Sequence, residues 1–329
     1  MNRKKLLEAI ENVKPAITST SLTEQNNMVF FNEKTVKSFN EEILIIFPIR
    51  TNVVGGFPAN ELITLLQKIK DEKIEVNQKG KILEIVGTTT KAELKMSDID
   101  FPQVGLPEKW KTLPNDFIEG IKYCKFSVAE SGNILSNIYL TRDKIISCDN
   151  YRITEYTMEK ESFRRSRLIP SSTINALIPF QPISFSSNNS WLFFKNENDA
   201  ILCIRKTEEK YPDIESILNT RVKGIKIKLP DELKEALQRT KILSDEDITT
   251  GNKIINIVIK NNKLVCHGEC TIGQIDETIK IDYKGKEIAF AIVPDFLSEI
   301  LDKTQTMTVG ETSLKFKTKN LQHIIQLIK

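Results

Sequence analysis

Residues 266–270, Cys-His-Gly-Glu-Cys, contain the residue types with which zinc deaminases hold their metal and transfer protons. That chemistry also needs a Pro-Cys-x-x-Cys segment downstream, and no cysteine follows Cys270. A structural zinc site needs four ligands, and the only other histidine is His323. Because Cys266, Cys270 and Ile272 share one face of a strand by alternation, we expect buried thiols here instead of a metal site.

Other catalytic patterns are incomplete as well. Gly80-Lys81 and Gly285-Lys286 lack both the Ser or Thr and the upstream glycine of a phosphate-binding loop, so ATP binding by that route is excluded. The chain has two histidines, and neither lies beside a nucleophile suited to a hydrolytic triad. From these patterns we expect no catalytic residue, no metal and no cofactor.

The composition is that of an ordinary globular protein. Its 329 residues include 47 Lys and Arg against 44 Asp and Glu, a net charge of +3, and 40% are hydrophobic. This near-balance excludes a histone-like polycation, so any contact with nucleic acid has to depend on the arrangement of charge. No apolar run approaches the roughly 20 residues of a membrane span. With no signal-peptide pattern and an odd number of cysteines, five, the sequence predicts a cytoplasmic protein without disulfides.

One pattern of helices and hairpins occurs three times along the chain, and it divides the chain into repeats. A hydrophobic residue and a proline precede helically spaced apolar residues at Phe57-Pro58, Ile169-Pro170 and Val293-Pro294. Two short alternating runs around a polar turn follow each of these helices, which predicts a hairpin. Another amphipathic helix pattern opens each repeat, and β-rich runs lie between the two helices. These opening patterns are Leu6–Ile17, Phe117–Val128 and Leu233–Thr240.

The repeats predict three modules of about 110 residues, at 1–106, 107–220 and 221–329. Each module is expected to be α+β, with two helices on one face of antiparallel sheet. Three such modules in a row form an arc whose terminal strands have unpaired edges. A second copy that paired with those edges would close the arc into a ring.

Four segments resemble the bacterial DNA polymerase III β subunit family, the sliding clamps. Ser147–Ile153 (Ser-Cys-Asp-Asn-Tyr-Arg-Ile) is similar to the family's Thr-Asp-Gly-His-Arg-Leu, and Glu209–Glu215 is similar to Gly-Lys/Arg-Phe-Pro-Asp-Tyr. Ala236–Ser244 resembles Ala-hydrophobic-x-Arg-x-x-Ile-Leu-Ser, and Asp100-Phe101-Pro102 fits the end of the first module. The resemblance covers essentially the whole chain, and a phage- or mobile-element-encoded member fits as well as a chromosomal one.

The resemblance implies a DNA processivity factor without catalysis of its own. A head-to-tail homodimer would encircle double-stranded DNA, slide on it without sequence preference in the nucleoid, and bind a DNA polymerase and the clamp-loader ATPase. A ring holds by topology, so a net charge of +3 suffices. The candidate DNA-facing residues are Lys68, Lys122, Lys125, Arg164, Arg165, Arg239 and Lys241. For any one of these cations, an ordinary solvated surface position is an equal alternative.

The family also docks partner peptides in an apolar pocket between the second and third modules. Carried over residue by residue, that pocket contains Leu135, Cys148, Asn150, Tyr151, Arg152, Ile153, Pro212, Ile217, Ile324, Ile325, Gln326 and Leu327. Cys148, Asn150 and Tyr151 replace the usual Thr, Gly and His, which leaves the peptide preference open. The alternative is that these are core residues at a module junction. Ring closure is expected where Ile242 and Leu243 meet Ala92 and Leu94 of a second copy.

Two other functions stay open at this point. One is a clamp paralogue that acts as a partner scaffold or regulator without serving the main replicase. The other is a nuclease or another nucleic-acid-modifying enzyme built on repeated modules. The enzyme needs a carboxylate or metal cluster, and the sequence presents no such pattern.

Overall fold

The computed structural model describes residues 1–18, 27–98, 100–130, 132–207, 209–218, 222–247 and 251–328. The chain divides into two compact units. Unit 1 comprises Met1–Ile121 and Glu159–Glu208, and unit 2 comprises Lys122–Met158 and Glu209–Lys329. These borders differ from the three predicted modules, whose division stays a prediction.

The described residues form seven α-helices, and the six that the apolar spacing predicts are all among them. The helices are α1 (Arg3–Val13), α2 (Ala59–Lys68), α3 (Phe117–Cys124), α4 (Ser171–Phe180), α5 (Glu215–Leu218), α6 (Leu233–Thr240) and α7 (Pro294–Leu301). Helices α2 and α4 begin directly after Pro58 and Pro170, and α7 begins at Pro294. No helix in the described ranges has both the length and the apolar character needed to cross a bilayer.

Unit 1 is built on an antiparallel sheet in the order β4-β1-β2-β3-β15-β14-β13-β8. Its strands are β1 (Met28–Asn32), β2 (Thr35–Phe39), β3 (Ile43–Pro48), β4 (Gly55–Pro58), β8 (Lys111–Thr112), β13 (Ser184–Ser187), β14 (Trp191–Lys195) and β15 (Ile201–Arg205). A second sheet has the order β5-β6-β7, with β5 (Glu75–Lys79), β6 (Ile82–Val86) and β7 (Lys91–Lys95). Strand β12 (Phe163–Pro170) also belongs to this unit.

Helix α1 packs on β2 and β3 beside α2, and its buried residues recur at helical spacing. Leu6, Ile10 and Val13 are at most 2% exposed, and Leu62 and Leu66 of α2 are completely buried. The side chain of Asn2 caps α1 by accepting a hydrogen bond from the Lys5 N–H at 3.0 Å. The two helices therefore cover one face of the sheet and turn their charged faces outward.

Unit 2 contains seven strands of one sheet in the order β9-β10-β11-β23-β22-β21-β16 and a second sheet in the order β19-β18-β17-β20. Its strands are β9 (Asn137–Arg142), β10 (Lys144–Cys148), β11 (Arg152–Thr157), β16 (Ile225–Lys228), β17 (Ile255–Lys260), β18 (Lys263–Cys270), β19 (Gly273–Lys280), β20 (Ile288–Ile292), β21 (Thr306–Val309), β22 (Ser313–Lys317) and β23 (Leu321–Gln326). Helices α6 and α7 pack together in this unit, and α6 also contacts β18 and β19.

The burial predicted for this strand face is correct for Cys266 and wrong for Cys270 and Ile272. Cys266 is completely buried, but Cys270 is partly exposed and Ile272 is 83% exposed. Strand β18 ends at Cys270 and the chain turns there, so alternation no longer applies to Ile272. Burial raises the pKa of the Cys266 thiol to about 12, so it stays protonated at neutral pH.

A buried polar chain links β11 to β23 in unit 2. The hydroxyls of Ser127 and Thr154 lie 2.6 Å apart, and Thr154 Oγ1 lies 2.8 Å from Nδ1 of His323. His323 is completely buried and its Nε2 has no hydrogen-bond partner among the described residues. Burial, aided by the positive charge of Arg152, lowers the pKa of His323 to about 3.

The buried imidazole is expected to make the stability of unit 2 pH-dependent. Between pH 6.5 and 3 the unfolded chain protonates this histidine and the folded chain does not, so stability falls as the pH falls. The free energy of unfolding should drop by about 1.5–2 kcal/mol between pH 6.5 and 5 from this residue alone. Urea unfolding followed across that range checks the slope. In the His323→Gln variant the free energy of unfolding should fall less steeply with pH. An equal slope in both proteins would contradict the assignment of this pH dependence to His323.

Candidate functional site

A cavity of about 400 Å³ opens in unit 2, where β11 begins and β23 ends. Its wall combines aliphatic, amide, hydroxyl and charged groups. The described residues that line it are Asp149, Asn150, Tyr151, Arg152, Ile153, Ile217, Val222, Thr312, Ser313, Ile324 and Gln326. A concave surface with a few apolar anchors and a polar rim is suited to a short peptide or a small ligand.

The loop before β11 is shaped by Asp149. Its Oδ1 accepts hydrogen bonds from the N–H groups of Tyr151 at 2.8 Å and of Arg152 at 2.6 Å. This Asx-type turn aims the backbone into β11, and the Gln326 N–H donates to the Tyr151 carbonyl at 2.8 Å from the end of β23. The wall of the cavity is therefore fixed by side-chain and main-chain hydrogen bonds.

The guanidinium of Arg152 is held from three sides. Its Nε donates to Asp149 Oδ2 at 2.9 Å, Nη1 donates to Glu299 on α7, and the group lies 3.9 Å from the centre of the Phe296 ring. The Arg152 side chain is only 9% exposed. Burial raises the pKa of the Glu299 carboxyl, and the Arg152 charge opposes that rise. Arg152 is thus a fixed structural cation of the wall and is already neutralised by two carboxylates.

Strand pairing decides which C-terminal side chains face the cavity. In the β11–β23 register Ile153 lies opposite Ile324, and both line the cavity. Ile325 lies between two lining residues, and it is completely buried on the other face of β23. The sequence placed Ile325 in the pocket, but strand alternation turns it into the core.

Seven predicted pocket residues meet at this cavity, and five lie outside its lining. The seven are Asn150, Tyr151, Arg152, Ile153, Ile217, Ile324 and Gln326. The five outside are Leu135, Cys148, Pro212, Ile325 and Leu327. Cys148 is 3% exposed because the Tyr211 hydroxyl covers it, at 3.3 Å from the sulfur. The Leu327 N–H donates to the Thr312 carbonyl at 2.9 Å, which holds this lining residue in place.

Sequence reasoning missed four lining residues. Asp149 lies inside the motif that identified its neighbours, so its position was the available signal. Ser313 enters the lining because β22 pairs with β23 and places it opposite Gln326. Val222 and Thr312 reach the cavity only through the fold of unit 2, and nothing in their local sequence marks them.

The predicted DNA-facing cations fall into two groups. Lys68 is the last residue of α2, Lys122 lies on α3, and Lys125 opens the short turn after α3. All three are exposed. Arg164 and Arg165 are also exposed, but they lie on strand β12 and not on a helix.

The cations predicted on the third repeat are engaged with carboxylates. Arg239 donates from Nε and Nη2 to the two oxygens of Glu277 at 2.8 and 3.0 Å. Lys241 Nζ lies 2.6 Å from Asp295 Oδ2. The Lys241–Asp295 pair is solvent-exposed and therefore weak, whereas the two hydrogen bonds from Arg239 hold the less exposed Glu277 more firmly.

The residues predicted for ring closure lie at two sheet edges, one in each unit. Ile242 is 68% exposed in the turn after α6, and Leu243, beside it, packs toward Gly273 of the edge strand β19. Ala92 and Leu94 lie on β7, which pairs only with β6 among the described strands. Both edges are open to another chain.

Among the described residues, no group of three or more His, Cys, Asp or Glu side chains is placed to hold a metal ion. The geometry thus offers a concave cavity, exposed cations and two sheet edges that no other described strand pairs with.

No family model and no curated protein matches the sequence of this chain. Solved structures do match the fold over its entire length. The β chain of DNA polymerase III from Streptococcus pneumoniae is 18% identical with a TM-score of 0.85. The match covers 100% of this chain and 98% of that chain. The β subunit from the DNA polymerase of Streptococcus pyogenes is 17% identical with a TM-score of 0.86, at 100% and 99% coverage.

The β sliding clamp of C. crescentus is 13% identical with a TM-score of 0.87. The match covers 100% of this chain and 98% of that clamp. These matches identify the architecture. The chain has the fold of the DNA polymerase III β subunits from its first element to its last.

Proposed function

We propose that this protein is a DNA sliding clamp, a processivity factor that does not itself catalyse a reaction. Two copies close head to tail into a ring around double-stranded DNA, in contact with the DNA of the nucleoid. A DNA polymerase and a clamp-loader ATPase dock on the ring through the cavity at Arg152. The single observation that carries this proposal is the fold match over the whole chain to DNA polymerase III β subunits.

Ring closure is supported by the two open edges. Strand β7 ends the three-stranded sheet of unit 1, and β19 ends the four-stranded sheet of unit 2. Ile242 and Ile272 are both strongly exposed near β19, at 68% and 83%. An edge strand flanked by exposed isoleucines is an aggregation hazard in a monomer, and pairing β19 with β7 of a second copy covers it.

Partner docking is supported by the chemistry of the cavity. Ile153, Ile324, Ile217 and Val222 supply the apolar surface, and Asn150, Thr312, Ser313 and Gln326 supply hydrogen-bonding groups around it. Short peptides gain most of their affinity from a few apolar anchors in a preformed pocket. Ile217, which is 49% exposed on α5, is available for such an anchor.

Interaction with DNA is supported by the distribution of charge. Lys68, Lys122 and Lys125 are exposed cations on or beside helices. Phosphate contacts of this kind carry no sequence information, which suits a protein that must move along DNA. The cations of Arg239 and Lys241 have carboxylate neighbours, so we expect them to contribute less.

Trapping on circular DNA tests the proposal. Linear duplex with cohesive ends is incubated with the protein, closed by DNA ligase, and passed over a sizing column at high salt. We expect the protein to elute with the circles and to be lost after a restriction cut. Salt disrupts phosphate contacts but not topological linkage, so this retention separates a ring from an ordinary DNA-binding protein. Equal loss from circles and cut DNA would contradict the clamp.

A further inference from the structure

A second cavity, of about 330 Å³, lies in unit 1 between strand β12 and the edge formed by β8 and β13. Its lining is strongly cationic. Five cations and three serines line it with two phenylalanines, and none of its described lining residues is acidic. The lining residues are Lys109, Lys111, Ser162, Phe163, Arg164, Arg165, Arg167, Phe185, Ser186 and Ser187.

Arg167 is built into the wall of this cavity. Its Nη2 donates to Ser187 Oγ at 3.1 Å, which ties β12 to β13, and Nη1 donates to the Ser166 carbonyl at 2.7 Å. Its Nε is buried and has no hydrogen-bond partner among the described residues. Burial, with repulsion from Arg165, lowers the pKa of Arg167. A guanidinium in this state is stabilised by any anion that enters beside it.

The other four cations are free of described carboxylates, unlike Arg239 and Lys241. Lys109, Lys111, Arg164 and Arg165 are all exposed, and no ion pair joins them to an acidic side chain of the described residues. Five like charges around one small concavity repel each other, which costs free energy in the unliganded protein. That cost is recovered when an anion with several charges binds.

We propose that this cavity binds the phosphate backbone of a single nucleic-acid strand. Arg164, Arg165 and Arg167 lie along β12, whereas Lys109 and Lys111 lie on the segment that leads into β8. Arg165 and Arg167 lie on one face of β12 about 6.6 Å apart, and Lys109 and Lys111 have the same two-residue separation. This spacing is comparable to that of successive phosphates in an extended strand. A flexible single strand can bend into a concavity of this size, whereas a duplex presents its phosphates on a convex surface.

The lining favours nucleic acid over an acidic peptide. Phe163 and Phe185 pack edge to face at 5.0 Å and are only 3% and 6% exposed, so they form a closed floor. A peptide would need accessible apolar anchors, and the cavity has none among its described residues. Binding must therefore come from charge, which makes it independent of sequence and sensitive to salt. The site needs neither ring closure nor the cavity at Arg152, so it does not rest on the proposed clamp function.

Fluorescence anisotropy with a short labelled oligothymidylate and the full-length protein tests the site. Arg164→Gln combined with Arg165→Gln removes two exposed cations and should weaken binding about tenfold. The slope of log K against log salt should fall in magnitude by about 1.4, since each lost single-strand phosphate contact accounts for about 0.7. Lys109→Gln with Lys111→Gln, on the facing segment, should weaken binding in the same direction.

Lys284→Gln with Lys286→Gln is the matched control. These lysines are exposed in unit 2 and have the same two-residue separation. We expect this variant to bind the oligonucleotide within twofold of the wild type. Equal affinities and equal salt slopes in all variants would overturn the proposal. Two competition results would also overturn it. One is that polyglutamate displaces the labelled strand at the same concentration as unlabelled oligothymidylate does. The other is that inorganic phosphate competes as strongly as the strand itself.

Discussion

Replacing Ile242 and Leu243 together with aspartate is expected to raise the dissociation constant of the homodimer by a hundredfold or more. In the proposed ring these side chains are covered by the β7 edge of the partner copy. Losing the burial of two aliphatic side chains costs about 3 kcal/mol, and each 1.4 kcal/mol is tenfold in affinity. Two carboxylates in the same contact add a desolvation cost. Sedimentation equilibrium measures the dissociation constant directly.

The control for this variant is Ile183→Asp, which also changes an isoleucine with a high exposed fraction, 52%. It lies outside the proposed contact and should leave the dimer unchanged. The aspartate pair should also abolish trapping on circular DNA, because a monomer encloses nothing. Leu94→Asp, from the other side of the contact, should weaken the dimer as well. An unaltered dimer in the Ile242/Leu243 variant would show that closure occurs elsewhere.

Arg152→Ala is expected to lower the free energy of unfolding by about 2–4 kcal/mol, slightly less than removing one partner of a fully buried pair. Asp149 and Glu299 lose their common counter-ion, and Phe296 loses the guanidinium stacked 3.9 Å from its ring. The Glu299 side chain remains 42% exposed, which moderates the loss. Urea unfolding gives this value. Because Asp149 shapes the cavity wall, polymerase-peptide affinity should fall in parallel.

Ile217→Ser separates the docking role from the structural one. Ile217 lines the same cavity and is 49% exposed, so its replacement should change stability by less than about 0.5 kcal/mol. It should still weaken binding of a polymerase-derived peptide several-fold, as measured by titration calorimetry. If neither Arg152→Ala nor Ile217→Ser affected peptide affinity, the cavity would not be the docking site.

The helices and hairpins could be predicted because their signals are local. Helix α2 follows Pro58 and carries apolar residues at helical spacing, and the β13–β14 hairpin is two alternating runs around a polar turn. Helix α5 was not predicted, since four residues are too short to show a helical period. Ile272 shows the limit of period-two reasoning, because β18 ends at Cys270 and the chain turns before Ile272.

The candidate cavity was predicted through the resemblance of one segment to a family motif. Residues 149–153 form one continuous segment, and the motif identified most of it. Ile324 and Ile325 are chemically identical neighbours, and only the register of β23 against β11 sends one to the cavity and the other to the core. Ser313 is brought in by a strand partner, which its own sequence does not specify.

The sequence by itself determined the repeated order of helices and hairpins, the near-neutral charge, and the motif that marks the start of β11. Each of these follows from residues close together in the chain, where spacing and residue type fix the local conformation. The tertiary structure decided that β3 pairs with β15 and that β11 pairs with β23. It also decided that Arg239 and Lys241 meet carboxylates, while the cations around Arg167 meet none from the part of the chain that the structure describes. Those outcomes depend on contacts between distant segments, which form only when apolar faces of several elements are buried together.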